Sequence, residues 1–148
     1  MPSWSSLLSL AHLVGLSLAM GSATVKLVLL LRCKADVTFL PGYLQVSRPI
    51  TRLIILGMIL LTLSGIGWII LGYGLTPRLI AKLVLVAAIW ALGPFIDNSI
   101  EPRYRTLAPP AGEPASSAFL AHQKRYLTWE IVATSLFYVI EALWVLRS

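Results

Sequence analysis

The chain reads as an all-α protein, a four-transmembrane-helix antiparallel bundle forming one membrane domain over residues 1–148, and three observations carry that reading. Its residues are 57% hydrophobic and only 12% charged, about half the charge of an ordinary soluble domain. The apolar residues gather into four runs, at about 7–31, 53–73, 79–96 and 126–146, each near the length that crosses a hydrocarbon core as a helix. None of the runs alternates with the period of two that barrel strands show, and only helices or closed barrels satisfy their backbone groups in lipid.

Taken in order, the first run raises the question of a signal peptide, because Met20-Gly21-Ser22-Ala23 loosely resembles a cleavage site. No Lys or Arg precedes the run, and it continues past Ala23 to Leu31, longer than a signal's apolar core. The first helix is therefore expected to be retained. Pro41-Gly42 is expected to break the connection that follows, and Arg48-Pro49 precedes the second span. Gly72-Tyr73-Gly74 with Pro77 makes a tight turn, so the second and third spans form an antiparallel hairpin. A connector over 97–125 follows, whose 108–117 part is rich in Pro, Ala and Ser and is expected to be mobile. Residues 118–124 are expected to start a helix along the interface before the fourth span. Small residues form strips on the first helix (Gly15, Ala19, Ser22, Ala23), the second (Gly57, Ser64, Gly65) and the third (Ala81, Ala88, Ala91, Gly93). Such strips let helices approach closely in lipid.

Orientation follows from the basic residues. Arg32, Lys34, Arg48 and Arg52 flank the first connection, and Arg103, Arg105, Lys124 and Arg125 lie in the second, against only Arg78 and Arg147 on the other side. The positive-inside rule then places loops 32–52 and 97–125 in the cytoplasm and both termini outside. A bacterial inner membrane is the expected location. Trp4, Tyr73 and Trp144 fall near the outer boundary and Tyr126 and Trp129 near the inner one, as interfacial aromatics should. The net charge of +6 is thus topology and contact with anionic headgroups, with no nucleic-acid partner implied. The single cysteine, Cys33, excludes an intrachain disulfide.

Ionisable residues inside the spans are costly and by default mark a pathway, a cofactor or an ion pair. At 1.5 Å per residue, Lys26 and Glu130 each fall about 7–9 Å inside the inner boundary, and Lys82 and Glu141 about 6–9 Å inside the outer one, near the level of His12. Glu130 and Glu141, eleven residues apart, share a face of the fourth helix, and His12 and Lys26, fourteen apart, lie within about 40° on the first. If those faces meet, an inner structural ion pair Lys26–Glu130 and an outer group His12–Lys82–Glu141 result. The plainer alternatives are snorkelling for either lysine, protonation for either glutamate, an interhelical hydrogen bond for His12, and a merely interfacial His122.

Ala11-His12-Leu13-Val14-Gly15, followed by Gly21 and closed by Arg32, resembles the first span of a superfamily of small bacterial four-helix membrane proteins. That superfamily includes the membrane protoporphyrinogen oxidases and the copper-resistance D domains. Ser64-Gly65 late in the second span and Ala81-Lys82-Leu83-Val84-Leu85-Val86 opening the third fit the same pattern, over about the first two-thirds of the chain. The resemblance implies that His12 and Lys82, with Glu141 beside them, belong to a cofactor site, that the cofactor is haem b, and that His12 is the metal ligand. The chain departs from the oxidases in reading Leu16-Ser17-Leu18-Ala19-Met20 where they carry an aromatic-rich signature, and in its lack of further histidines. His12 and His122 would lie on the order of 25 Å apart across a bilayer, too far to share one iron in a monomer.

Three functions follow as expectations. One is a haem-associated or redox-linked membrane protein built on the outer group. Another is an accessory subunit of a larger membrane complex, partnered by other subunits or by further copies of itself. The third is a proton or ion pathway. The chain offers no nucleotide loop, metal-ligand cluster or nucleophile–base arrangement that would specify an enzyme.

Overall fold

The computed structural model of the protein describes residues 3–72 and 74–145, with side chains as far as residue 143; Tyr73, Arg147 and the Trp144 side chain, singled out above, lie outside them. Helix α1 spans Trp4–Ala35 and α2 spans Leu40–Ile70. α3 spans Pro77–Phe95, α4 spans Glu101–Thr106 and α5 spans Ser117–Val145. Four helical stretches are long and apolar enough to cross a membrane: Trp4–Ala35, Val37–Ile70, Pro77–Thr106 and Ser117–Leu143. They run antiparallel. The connector end of the bundle carries Cys33, Leu40 and Ser117, and the terminal end carries Trp4, Ile70, Pro77 and Glu141.

The helices outrun the apolar runs that predict them. α1 and α2 have 32 and 31 residues, about 48 Å each, so both project beyond a ~30 Å core. Most of loop 32–52 is therefore helix. Asp36 supports the short turn between them by accepting hydrogen bonds from the Thr38 N–H (2.9 Å) and hydroxyl (2.7 Å), which hold its carboxyl below the ordinary range. Pro41 does not break the chain; it lies in the first turn of α2, where its missing N–H has no helical acceptor to lose.

The 97–125 connector is likewise shorter than its sequence implies. α3 continues through a π-helical turn, Ile96–Ile100, into α4. Pro102 explains that turn, since its ring excludes the Asn98 carbonyl and it has no N–H to donate. The Glu101 N–H reaches back to the Ile96 carbonyl, one residue further than in an α-helix. Ser116 caps the fourth stretch by accepting from the Phe119 N–H (3.1 Å). α5 then runs unbroken from Ser117, with no separate interfacial helix. Only residues 107–116 connect the two helices.

Packing is uneven around the bundle. α1 lies against α2 over most of its length, with Gly15, Ala19, Ala23 and Gly57 buried at the seam. A Cβ at Gly57 would stand 2.6 Å from the Gly15 carbonyl oxygen, so the contact is between backbones and only glycine fits. α5 packs on α1, and α3 on α5, but α2 and α3 stand apart. Their recorded hydrogen bond is from Trp90 Nε1–H to Thr62 Oγ1 (3.1 Å). The α3 small residues mark no close crossing, since Ala81 and Ala91 are exposed. Elsewhere the outward faces are Leu, Ile and Val, including Leu10, Leu63, Ile70 and Val84, the surface that lipid contact requires.

Aromatic side chains close the connector end. Tyr43, Tyr104, Phe119 and Tyr126 form one buried cluster, with Tyr104 stacked on Phe119 at 5.0 Å. Tyr126 is fully buried rather than interfacial. His122 is also buried, and its Nε2 lies 2.9 Å from the Ile100 carbonyl oxygen in the π turn. Cys33 is a free thiol inside the same cluster.

Candidate functional site

The densest polar chemistry lies at the connector end, around Lys26. The side chain of Lys26 is only 3% exposed, so it does not snorkel. Its ammonium lies 2.9 Å from Glu130 Oε1, 3.2 Å from Glu101 Oε2 and 3.5 Å from Asp97 Oδ1, and it donates to Thr51 Oγ1 at 3.0 Å. The Tyr126 ring adds a cation–π face at 5.8 Å. Each partner arrives on a different element: Thr51 on α2, Asp97 in the π turn, Glu101 on α4 and Glu130 on α5. Lys26 and Glu130, matched in depth by the sequence, are thus brought together, but two further carboxylates share the ammonium with them.

Glu101 extends the network toward α2. Its Oε1 accepts from Arg105 Nη2 (2.8 Å), Arg105 Nε (3.1 Å) and Ser47 Oγ (3.0 Å). Its Oε2 accepts from the Tyr126 hydroxyl (3.1 Å), which leaves Tyr43 to donate to the Tyr126 oxygen (2.7 Å). Arg105 also donates to the Leu44 carbonyl (2.8 Å) and to Ser47 Oγ, tying α4 to α2 where their backbones do not pack. A buried charge is tolerated only when paired and hydrogen-bonded, and Glu101 meets that condition in full.

Glu130 does not. The ammonium has three protons for four neighbours, Thr51, Asp97, Glu101 and Glu130. Glu130 Oε1 is the nearest of these, at 2.9 Å in an ion pair with the ammonium, and no other group donates to that oxygen. Among the described residues the buried hydroxyl left without a hydrogen-bond partner is Thr134 Oγ1, a turn further along α5. Thr24, Thr62 and Thr128 all donate to the carbonyl four residues back, the usual resolution for a hydroxyl in a membrane helix. Thr134 does not.

Glu130 and Thr134 both line a cavity of about 460 Å³. Ala23 and Lys26 of α1 form part of its floor, with walls from α2, α3 and α5. Its polar end holds Lys26, Asp97, Glu101 and Glu130; its apolar end holds Ile54, Met58, Ile89, Trp90 and Phe137. Arg48, Arg52, Ile55, Trp90 and Asn98 are lining residues exposed on the outer surface. They set the mouth on the side where α2 and α3 stand apart.

The terminal end is simpler. His12 Nδ1 lies 2.9 Å from Ser64 Oγ, and the Ser64 hydroxyl already donates to the Leu60 carbonyl (2.7 Å). The imidazole therefore supplies the proton of the His12–Ser64 bond, and in the neutral ring Nε2 carries the free lone pair. Glu141 and Lys82 both act electrostatically on that ring. The cavity lining includes none of them. Of the two histidines only His12, through Nε2, could hold a haem at this end, because His122 is engaged at the opposite end of the bundle. Among the described residues no three His, Cys, Asp or Glu side chains converge as a metal site.

Asp97, Glu101, Arg105, Ser47 and Thr134 were not singled out by sequence as site residues. The recoverable signal was the spacing of four between Asp97, Glu101 and Arg105, which places all three on one face of a helix if the chain stays helical through Pro102. No protein-family model, curated protein or solved structure matches the chain, so nothing beyond its own residues bears on the resemblance of its first two-thirds.

Proposed function

We propose that this protein binds an amphiphilic molecule from the bilayer, with the head of the ligand in the chamber around Lys26 and its tail between α2 and α3. The observation that supports the reading is the cavity's polarity: charged at one end, lined by Ile54, Met58, Ile89 and Phe137 at the other, and open on the face where two helices do not pack. Ligand sites are mostly apolar with a few converging polar groups, and ionisable residues in a span are a functional site by default. With the connector end cytoplasmic, as the basic residues there argue, the chamber faces the inner leaflet of a bacterial inner membrane.

Gly93 supplies the test. It lines the cavity, and nothing stands within 4 Å of where its Cβ would be. Gly93→Leu adds a side chain whose Cβ meets open space and favours the helix by up to about 1 kcal/mol. Protein released from membranes in a mild detergent should carry bound amphiphile in native mass spectra, and the folded Gly93→Leu protein should carry much less. Equal retention by both proteins, or none by either, overturns the reading.

A second reading, favoured by the fixed orientation of His12, is haem ligation through Nε2 with Ser64 holding the ring, as ligating histidines are commonly held by their second nitrogen. It predicts a Soret band in protein grown with ample haem, lost in His12→Ala. A colourless, folded preparation rules it out.

A further inference from the structure

We infer that the amphiphile is a phospholipid of the surrounding bilayer whose head carries a primary ammonium group, with its N–H bonds directed to Glu130 and Thr134 and its phosphate set between Arg48 and Arg52. This rests on the amphiphile reading above and adds the chemistry of the head.

Two independent counts lead to it. The first is of charge: with the carboxylates ionised, Lys26 and Arg105 face Asp97, Glu101 and Glu130, two cations against three carboxylates in the buried network, while the cavity's other cations, Arg48 and Arg52, are exposed at its rim. A site of low dielectric with one uncompensated negative charge attracts a monocation. The second is of hydrogen bonds: Glu130 Oε1 has only the Lys26 ammonium beside it and the buried Thr134 hydroxyl has no partner, and the two lie one helical turn apart on the same wall of the cavity. An ammonium group answers both counts, because it brings one positive charge and three donors. A quaternary ammonium answers only the first, and a hydroxyl only the second.

The rim then selects the rest of the head. Arg48 and Arg52 are exposed at the mouth of the cavity, on the turn of α2 flanking Thr51. Alone they would oppose entry of a cation, but they complement a phosphate carried beside it. A zwitterionic head with phosphate outward and ammonium inward fits the order of charges from rim to chamber. Its acyl chains meet the apolar wall of Ile54, Ile55 and Met58.

Delipidated full-length protein in a neutral detergent is titrated with phospholipids of identical acyl chains and ethanolamine, choline or glycerol heads, with bound lipid read by native mass spectrometry. The ethanolamine lipid should bind roughly tenfold or more tightly than the choline lipid, the worth of a hydrogen bond to a charged group. Thr134→Val, which leaves every buried charge paired as before, should narrow that preference, and Glu130→Gln should abolish it. Equal binding of ethanolamine and choline lipids overturns the ammonium assignment and leaves the amphiphile reading standing. Tightest binding of the anionic glycerol lipid overturns it in favour of the arginine rim as the whole site. Binding of none of the three removes the amphiphile reading itself.

Discussion

The two ends of this bundle bury polar groups by opposite means. At the connector end, five charged side chains from four elements share one network through Lys26 and Glu101. At the terminal end, a hydrogen bond joins His12 to Ser64, and Lys82 and Glu141 act electrostatically on the ring. Along α1 the two centres are about 21 Å apart. The connector end combines its charges with a cavity and with a buried hydroxyl, that of Thr134, which has no partner. The comparison separates two roles that intramembrane charge can play. A network that is closed holds helices together; one that leaves buried polar atoms short of partners has something still to bind.

The largest effect should come from Lys26→Met. Methionine has a similar length and suits the apolar surroundings, so the loss is of charge rather than of volume. Asp97, Glu101 and Glu130 would then face one another with Arg105 as the only cation in the network. Removing one partner of a buried pair costs about 3–5 kcal/mol, measurable as unfolding in detergent. Lys26→Met with Glu130→Gln should recover a substantial part of that cost, since neighbours in one network couple by about 0.5–3 kcal/mol. Strict additivity of the two changes would mean that the residues do not interact as their 2.9 Å separation implies.

How much of this was legible beforehand differs between the two ends. Four spans, their antiparallel order and the matching depth of Lys26 and Glu130 follow from hydropathy and 1.5 Å per residue alone. The rest of the chamber does not. The end of the third apolar run at 96 left Asp97, Glu101 and Arg105 in a supposed connector, whereas a π turn absorbs Pro102 and keeps the three residues on one wall. Tyr126 read as an interfacial anchor because belt aromatics and buried aromatics look alike in one dimension; its burial depends on Tyr43 and Tyr104 arriving from other helices. The gap between α2 and α3 was equally hidden, because a short turn such as 71–76 implies antiparallel neighbours without fixing how closely they pack.

The smallest effect sharpens the comparison from the other side. Ser64→Ala removes the acceptor of the His12 Nδ1–H, but the ring is only half-buried. Polar contacts between membrane helices average about 0.6 kcal/mol when measured by double-mutant cycles, because the separated helices also find partners. A loss near that value is expected in the same unfolding assay, several-fold below Lys26→Met. A cost as large as that of Lys26→Met would show His12 to be tied into a network as stringent as the chamber, through Glu141 and Lys82. The terminal end would then share the burden of holding the helices together, and the contrast between the two ends would fail.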